Sequence, residues 1–204
     1  MTRIYLVRHG QTAWNASGRF MGQADISLNE TGLAQAAAVA RRLAGQPFDA
    51  IYSSDLLRAR ATAEPFAAGR LTPIQTEPRL RELHFGTWQG LTYSEIAQHD
   101  PQRLAAWQAD PLQCAPPGGE TLGQMLMRLQ GLLSEIRGAY PEGDVLLVSH
   151  GGPLRTLVCS LLGLPVEAYW RFKLDNGSLS ILELFETGAI LNRLNDTAHL
   201  EIGG

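Results

Sequence analysis

The strongest constraint on the fold is a pattern met three times, a short apolar run that breaks into polar residues where the chain leaves for a helix. Ile4-Tyr5-Leu6-Val7 runs into Arg8-His9-Gly10, Ala50-Ile51-Tyr52 into Ser53-Ser54, and Val145-Leu146-Leu147-Val148 into Ser149-His150-Gly151-Gly152. Continuous apolar runs of this length read as strands covered on both faces. With helices between them they predict a three-layer α/β/α sandwich around a mostly parallel central sheet. In such a sheet the carboxyl ends of the strands share one edge, and ligand crevices form there. Three polar run-ends are then expected to meet.

The remaining segments fit that frame. "DISLNETGLAQAAAVARRLAG" predicts a helix with Asn29 or Thr31 near its start and Gly45 just past its end. "DLLRARATAEPFAAG" predicts a second helix, which Pro65 is expected to kink or restart. A short strand is expected around Ile74 to Thr76. From Leu83 to Gly119, weak helical pieces at Tyr93–Gln98 and Arg103–Gln108 lead to Pro116-Pro117-Gly118-Gly119, a breaker cluster that closes an excursion from the core. Thr121 to Tyr140 is the longest amphipathic helix, and "GGPLRTLVCSLLGLP" is another. "SLSILELFETGAILNRLN" reads as a terminal hairpin turning at Glu186-Thr187-Gly188. Residues 1–204 are therefore expected to form one domain, with a cap-like helical insert at about 84–119.

Composition narrows the function classes. A net charge of -3 leaves no broad basic footprint for nucleic acid or an anionic membrane. No stretch approaches the roughly 18 apolar residues of a membrane span, and the N-terminal residues carry no secretion-signal pattern. Cys114 and Cys159 are too few for a disulfide framework and lack metal-ligand spacing. Lys173 is the only lysine and sits in no motif, which removes Schiff-base and P-loop chemistry. A cytoplasmic enzyme or binding domain is expected, with a homodimer as one expected assembly.

The shared edge would gather His9, His150, Arg8 and Arg58, the last one turn into the helix after the second strand. All are donors or cations, so the expected ligand is an anion. Guanidinium forks match phosphate oxygens, and the amides of Gly151 and Gly152 add donors at a helix start. An imidazole kept neutral among fixed cations is a nucleophile suited to phosphorus. The leaving oxygen needs a proton donor, for which Glu82 in "LRELHFGTWQG" is the candidate, with Glu77 and Glu95 as competitors. Among the cations Arg60 competes with Arg58.

Four blocks, "LVRHGQTAWN", "SSDLLRARATAE", "LRELHFGTWQGLT" and "VLLVSHGG", closely resemble the histidine phosphatase superfamily, the phosphoglycerate mutase-like proteins. They occur in that family's order and together cover most of the chain. The resemblance implies that His9 becomes phosphohistidine. It further implies that Arg8, Arg58 and His150 hold the phosphoryl group, and that Glu82 is the general acid and then the base for water. Gln11 and Asn15 match positions that assist phosphate or nucleophile placement, and Gln23 matches a substrate-side position. No metal and no cofactor are implied; the expected partner is a small-molecule phosphate monoester.

Within the family a phosphomonoesterase is the leading expectation. A 2,3-bisphosphoglycerate-dependent mutase must bind a carboxylate and a second phosphate, yet the insert between Glu82 and Pro117 carries only Arg103 as a basic residue. The short insert resembles those of broad-specificity, α-ribazole-5′-phosphate and phosphoserine phosphatases. A non-catalytic phosphate-binding module is the alternative from another class, disfavoured because every catalytic side chain is present. A serine hydrolase fails for want of Gly-x-Ser-x-Gly. His84, His99 and His199 are expected to be bystanders, with His199 solvated, and Trp88, Tyr93 and Trp107 are expected to be packing residues. Removing Arg58 is expected to leave stability almost unchanged.

Overall fold

A computed structural model describes residues 1–200 of the chain. Its strands are β1 (Thr2–Arg8), β2 (Ala50–Ser53), β3 (Ile74–Thr76), β4 (Asp144–Ser149), β5 (Leu179–Phe185) and β6 (Gly188–Asp196). Its helices are α1 (Ala13–Ala16), α2 (Glu30–Arg42), α3 (Leu57–Ala67), α4 (Tyr93–His99), α5 (Pro101–Ala109), α6 (Leu122–Ala139) and α7 (Gly151–Leu161). The six strands form one sheet in the order β3-β2-β4-β1-β5-β6. The first four are mutually parallel, and the β5–β6 hairpin adds an antiparallel edge beside β1.

The two faces of the sheet separate by strand alternation. Ile4, Leu6, Val145 and Leu147 pack with Leu129, Leu132 and Ile136 of α6 and with Leu154, Leu157 and Val158 of α7. Tyr5, Val7, Ile51, Leu146 and Val148 pack on the other side with Val39 of α2 and Ala59, Ala63 and Phe66 of α3. Each fully buried large aliphatic side chain of this kind contributes roughly 1.5–3 kcal/mol. That burial on both faces explains the unbroken apolar runs, since neither face of β1 or β4 meets water.

Local signals placed the helix ends. Asn29 caps α2, its side chain accepting the Gly32 amide at 2.8 Å. Thr121 and Gln124 form a reciprocal capping box at the start of α6, as do Thr92 and Glu95 at α4. Pro65 does not restart α3, which runs through it as one helix and ends two residues later. The final turn tolerates a proline whose missing N–H costs a single hydrogen bond.

Two expectations about individual side chains are overturned. His199 is not solvated: it is buried in the last helical turn, and its Nε2 donates to the Gly177 carbonyl at 2.8 Å. The helical turn Ala198–Leu200 packs on α2 and so covers a residue that follows the polar stretch Asn195-Asp196-Thr197. Tyr93 is half exposed, its hydroxyl accepting from Gln108 Nε2, whereas Trp88 and Trp107 are buried as expected.

Candidate active site

The order of β2, β4 and β1 puts the three polar run-ends side by side. Arg8 lies opposite Ser149, and the amide of His9 donates to the Ser149 carbonyl at 2.9 Å. The Ser54 amide donates to Val148 at 3.0 Å. His9 and His150 therefore face each other with ring centroids 5.1 Å apart, both buried.

The backbone sets the state of His9. Its Nδ1 lies 2.7 Å from the Gly10 carbonyl, which can only accept, so the proton is on Nδ1 and the lone pair is on Nε2. Nε2 has no hydrogen-bond partner among the described residues. The loop itself is pinned from behind: Gly10 N donates to Thr62 Oγ1, and the His9 carbonyl accepts from Asn176 Nδ2 at 3.0 Å and from the Gly177 amide. Gly10 is needed here for proximity. A Cβ at Gly10 would lie 2.3 Å from the Gly32 carbonyl, so the first turn of α2 packs directly on the loop. Burial, with Arg58 and then Arg8 close by, holds the His9 pKa well below its ordinary value.

Arg58 is fully buried and spends its fork on the protein. Nη2 donates to the Gly22 carbonyl at 2.6 Å, Nη1 to Ala24 at 2.7 Å, and Nε to His150 Nδ1 at 3.1 Å. Burial brings its pKa down to about 10, so it stays charged at neutral pH. Because His150 accepts at Nδ1, its proton sits on Nε2, which lies 2.9 Å from Ser54 Oγ. Burial and the neighbouring Arg58 keep this ring neutral as well.

Arg8 is different. Nη1 donates to the Leu174 carbonyl, but Nε is buried with no partner among the described residues. A buried guanidinium N–H without an acceptor costs about 1–3 kcal/mol or more, a deficit that a bound anion removes. Glu82 approaches the same place from the loop after β3. Its carboxylate accepts from the Leu83 amide at 2.9 Å and from the Gly152 amide at 3.1 Å. A Cβ at Gly152 would lie 2.1 Å from Glu82 Oε1, so this glycine makes room for the acid. Gly151 and Gly152 open α7 behind His150, with their amides at its N-terminus.

Three predicted residues sit around this centre and not within it. Asn15 Oδ1 closes a capping box with Thr12 and accepts from Asn176 Nδ2 at 3.2 Å. Gln11 Oε1 accepts from the α2 cap Asn29, and Gln23 Nε2 donates to the Glu82 carbonyl at 3.1 Å. Sequence reasoning missed Ser54 as a partner of His150, and Asn176 and Gly177 as supports of His9. The Ser53-Ser54 pair is legible in the sequence as a strand end, while nothing local marks the turn at Asn176.

These protonation states give a pH dependence. Unfolded histidine titrates near pH 6.5, and both site histidines titrate far lower when folded. Above pH 6.5 neither state takes up these protons, so this contribution is flat. Below it the unfolded chain binds protons that the native site refuses, and stability falls by up to about 1.4 kcal/mol per pH unit per histidine. His9→Asn is expected to remove one histidine's share of the slope in urea unfolding between pH 7.5 and 5.5. An unchanged slope would mean that His9 is not held neutral.

Residues 4–197 match the Histidine phosphatase superfamily (branch 1), and the chain belongs to that family. By class it is a phosphatase. It is 34% identical to phosphoserine phosphatase 1 of Hydrogenobacter thermophilus, over 98% of this chain and 95% of that protein. It is 37% identical to a protein of Photorhabdus laumondii named "Probable phosphoglycerate mutase GpmB", over 98% and 96%. The crystal structure of the alpha-ribazole phosphatase from Shigella flexneri superposes with a TM-score of 0.88 at 31% identity, covering 95% of this chain and 96% of that one.

Proposed function

We propose that the chain hydrolyses small phosphate monoesters through a phosphohistidine formed on Nε2 of His9. The observation that carries this reading is the unpartnered Nε2 of a neutral, buried imidazole, fixed by Gly10 and set between Arg8 and Arg58. The Nε2 lone pair attacks phosphorus while the ester P–O bond breaks, and Glu82 in its acid form gives its proton to the leaving oxygen. Water then attacks the phosphohistidine, Glu82 takes a proton from it, and the N–P bond breaks to release phosphate.

Arg8, through its free Nε, and the amide of Gly151 supply donors for the equatorial oxygens. Arg58 contributes charge, together with the second N–H of each Nη. The Nε2–H of His150 turns to a phosphoryl oxygen in competition with Ser54. Gln11 and Asn15 steady the loop after His9, and Gln23 holds the Glu82 backbone on the substrate side. Residues 84–119, with α4 and α5, form a cap over this one-domain scaffold. No helix among the described residues is long and apolar enough to cross a membrane. Cys114 and Cys159 are free thiols, which supports a cytoplasmic enzyme.

Glu82→Gln tests the scheme. An alkyl phosphate leaves as a strongly basic alkoxide, whereas p-nitrophenyl phosphate leaves as a weakly basic phenolate. The variant is expected to slow the alkyl ester by about 10²–10⁴ and the nitrophenyl ester far less in the phosphorylation step, with phosphoenzyme accumulating on the activated ester. Equal losses with no trapped phosphoenzyme would show that Glu82 is not the acid, and would pass the role to His84.

A further inference from the structure

Arg155 lies beside the phosphoryl site and takes no part in the scheme above. It sits on α7 one turn after Gly151, whose carbonyl accepts its Nε–H at 3.0 Å. Its guanidinium carbon is 5.2 Å from the ring centroids of both Tyr169 and Trp170. Arg3, Arg79, Arg81 and Arg128 all lie against carboxylates. Half-buried Arg155 has no ion pair among the described residues, and its Nη groups have no hydrogen-bond partner there. A planar cation has thus been locked in place by two aromatic rings with the outer edge of its fork left open.

The direction of that fork is set by its neighbours. A Cβ on Gly151 would lie 3.5 Å from Arg8 Nε and 3.8 Å from Arg155 Nη2, so the two guanidinium groups flank one point at the head of α7. Next to it the Glu82 carboxylate holds the Gly152 amide. Gly152 follows Gly151 directly in the first turn of α7, which puts this stack on the side of the acid. Arg8 serves the phosphoryl group; Arg155 faces what leaves with the ester oxygen.

The open fork matches one chemistry best. A carboxylate accepts two parallel N–H bonds from a guanidinium edge. A second phosphate, as a dianion, would face the Glu82 carboxylate with one free guanidinium to offset it. An aromatic leaving group finds the Trp170 indole already engaged by Arg155, by Tyr169 at 4.5 Å and by the edge of Trp107 at 5.6 Å. We propose that Arg155, braced by Tyr169 and Trp170, is the specificity-determining residue that binds a carboxylate close to the ester oxygen. The substrate class is then the small phosphate monoesters of carboxylated alcohols, an assignment that rests on the phosphohistidine reading of the site.

The test compares kcat/KM on O-phosphoserine and O-phosphoethanolamine, which differ by the carboxylate alone. The wild-type protein is expected to favour phosphoserine by about tenfold or more, the range of a charge-assisted hydrogen-bonded pair. Arg155→Gln is expected to abolish most of that preference, chiefly through the KM for phosphoserine, and Arg155→Lys to restore part of it. Equal losses on both esters would overturn the assignment, because Arg155 would then act on the phosphoryl group or on Glu82. A wild-type protein without the preference overturns it too, whether or not the variant folds. Phosphohistidine labelling from p-nitrophenyl phosphate, measured alongside, separates the two levels. Labelling and turnover without a carboxylate preference sink only the Arg155 assignment; no labelling and no turnover in the wild type sink the phosphohistidine reading and this one with it.

Discussion

His9→Ala is expected to lose turnover by at least about 10⁴-fold, some 5.5 kcal/mol of barrier, and to carry no acid-labile, base-stable phosphate. No other side chain can take its place. His150, the imidazole packed against His9, has its Nδ1 lone pair on Arg58 and its Nε2 proton toward Ser54. The variant should still fold: β1 and β4 keep their ladder, and the lost contact at Gly10 costs about 1–3 kcal/mol. Rapid-quench labelling and steady-state rates, with a thermal melt as control, decide the matter. Stoichiometric phosphorylation of the variant would remove His9 as the acceptor.

Arg58→Ala is expected to fail twice over. Catalysis should fall by about 10²–10³ or more, as for other groups that stabilise charge at a transferring centre. Stability should also drop by about 2–5 kcal/mol, because the Gly22 and Ala24 carbonyls and His150 Nδ1 each lose a buried donor. The sequence alone suggests a ligand-facing cation whose removal leaves the fold untouched. The structure overturns that view, since Arg58 ties the loop at Gly22 to the head of α7 from a fully buried position. Urea unfolding beside kcat/KM separates the two losses. A change in unfolding free energy under about 1 kcal/mol would show that these three bonds contribute nothing net. Arg58→Lys retains the charge but offers a point donor to three acceptors lying in different directions, so most of the stability loss should persist.

Much of the molecule was legible in the sequence because its causes are local. Apolar runs without alternation identify strands covered on both faces, and β1 and β4 are those strands. Asn29, Thr121 and the Glu186-Thr187-Gly188 turn act on backbone groups within a few residues, so their effects are readable from spacing alone. His9, His150, Arg8, Arg58 and Glu82 came together because a parallel sheet collects its carboxyl ends on one edge.

What only the tertiary structure decided are contacts between segments far apart in the chain, for which no local period exists. The tautomer of His150 follows from Arg58, and the loop carrying His9 is held by Asn176 and Gly177 near the other end of the chain. Gly10 is a glycine because α2 returns to within 2.3 Å of where its Cβ would be, not because of its backbone angles. His199 follows the polar stretch Asn195-Asp196-Thr197 in sequence and is nevertheless buried, since the last helical turn packs on α2. Arg155 looks like any helix arginine until Tyr169 and Trp170 stack beneath it and no carboxylate among the described residues answers it. Periodicity and capping report what a residue does to its own element; the sharing of buried donors among elements is settled only when they pack.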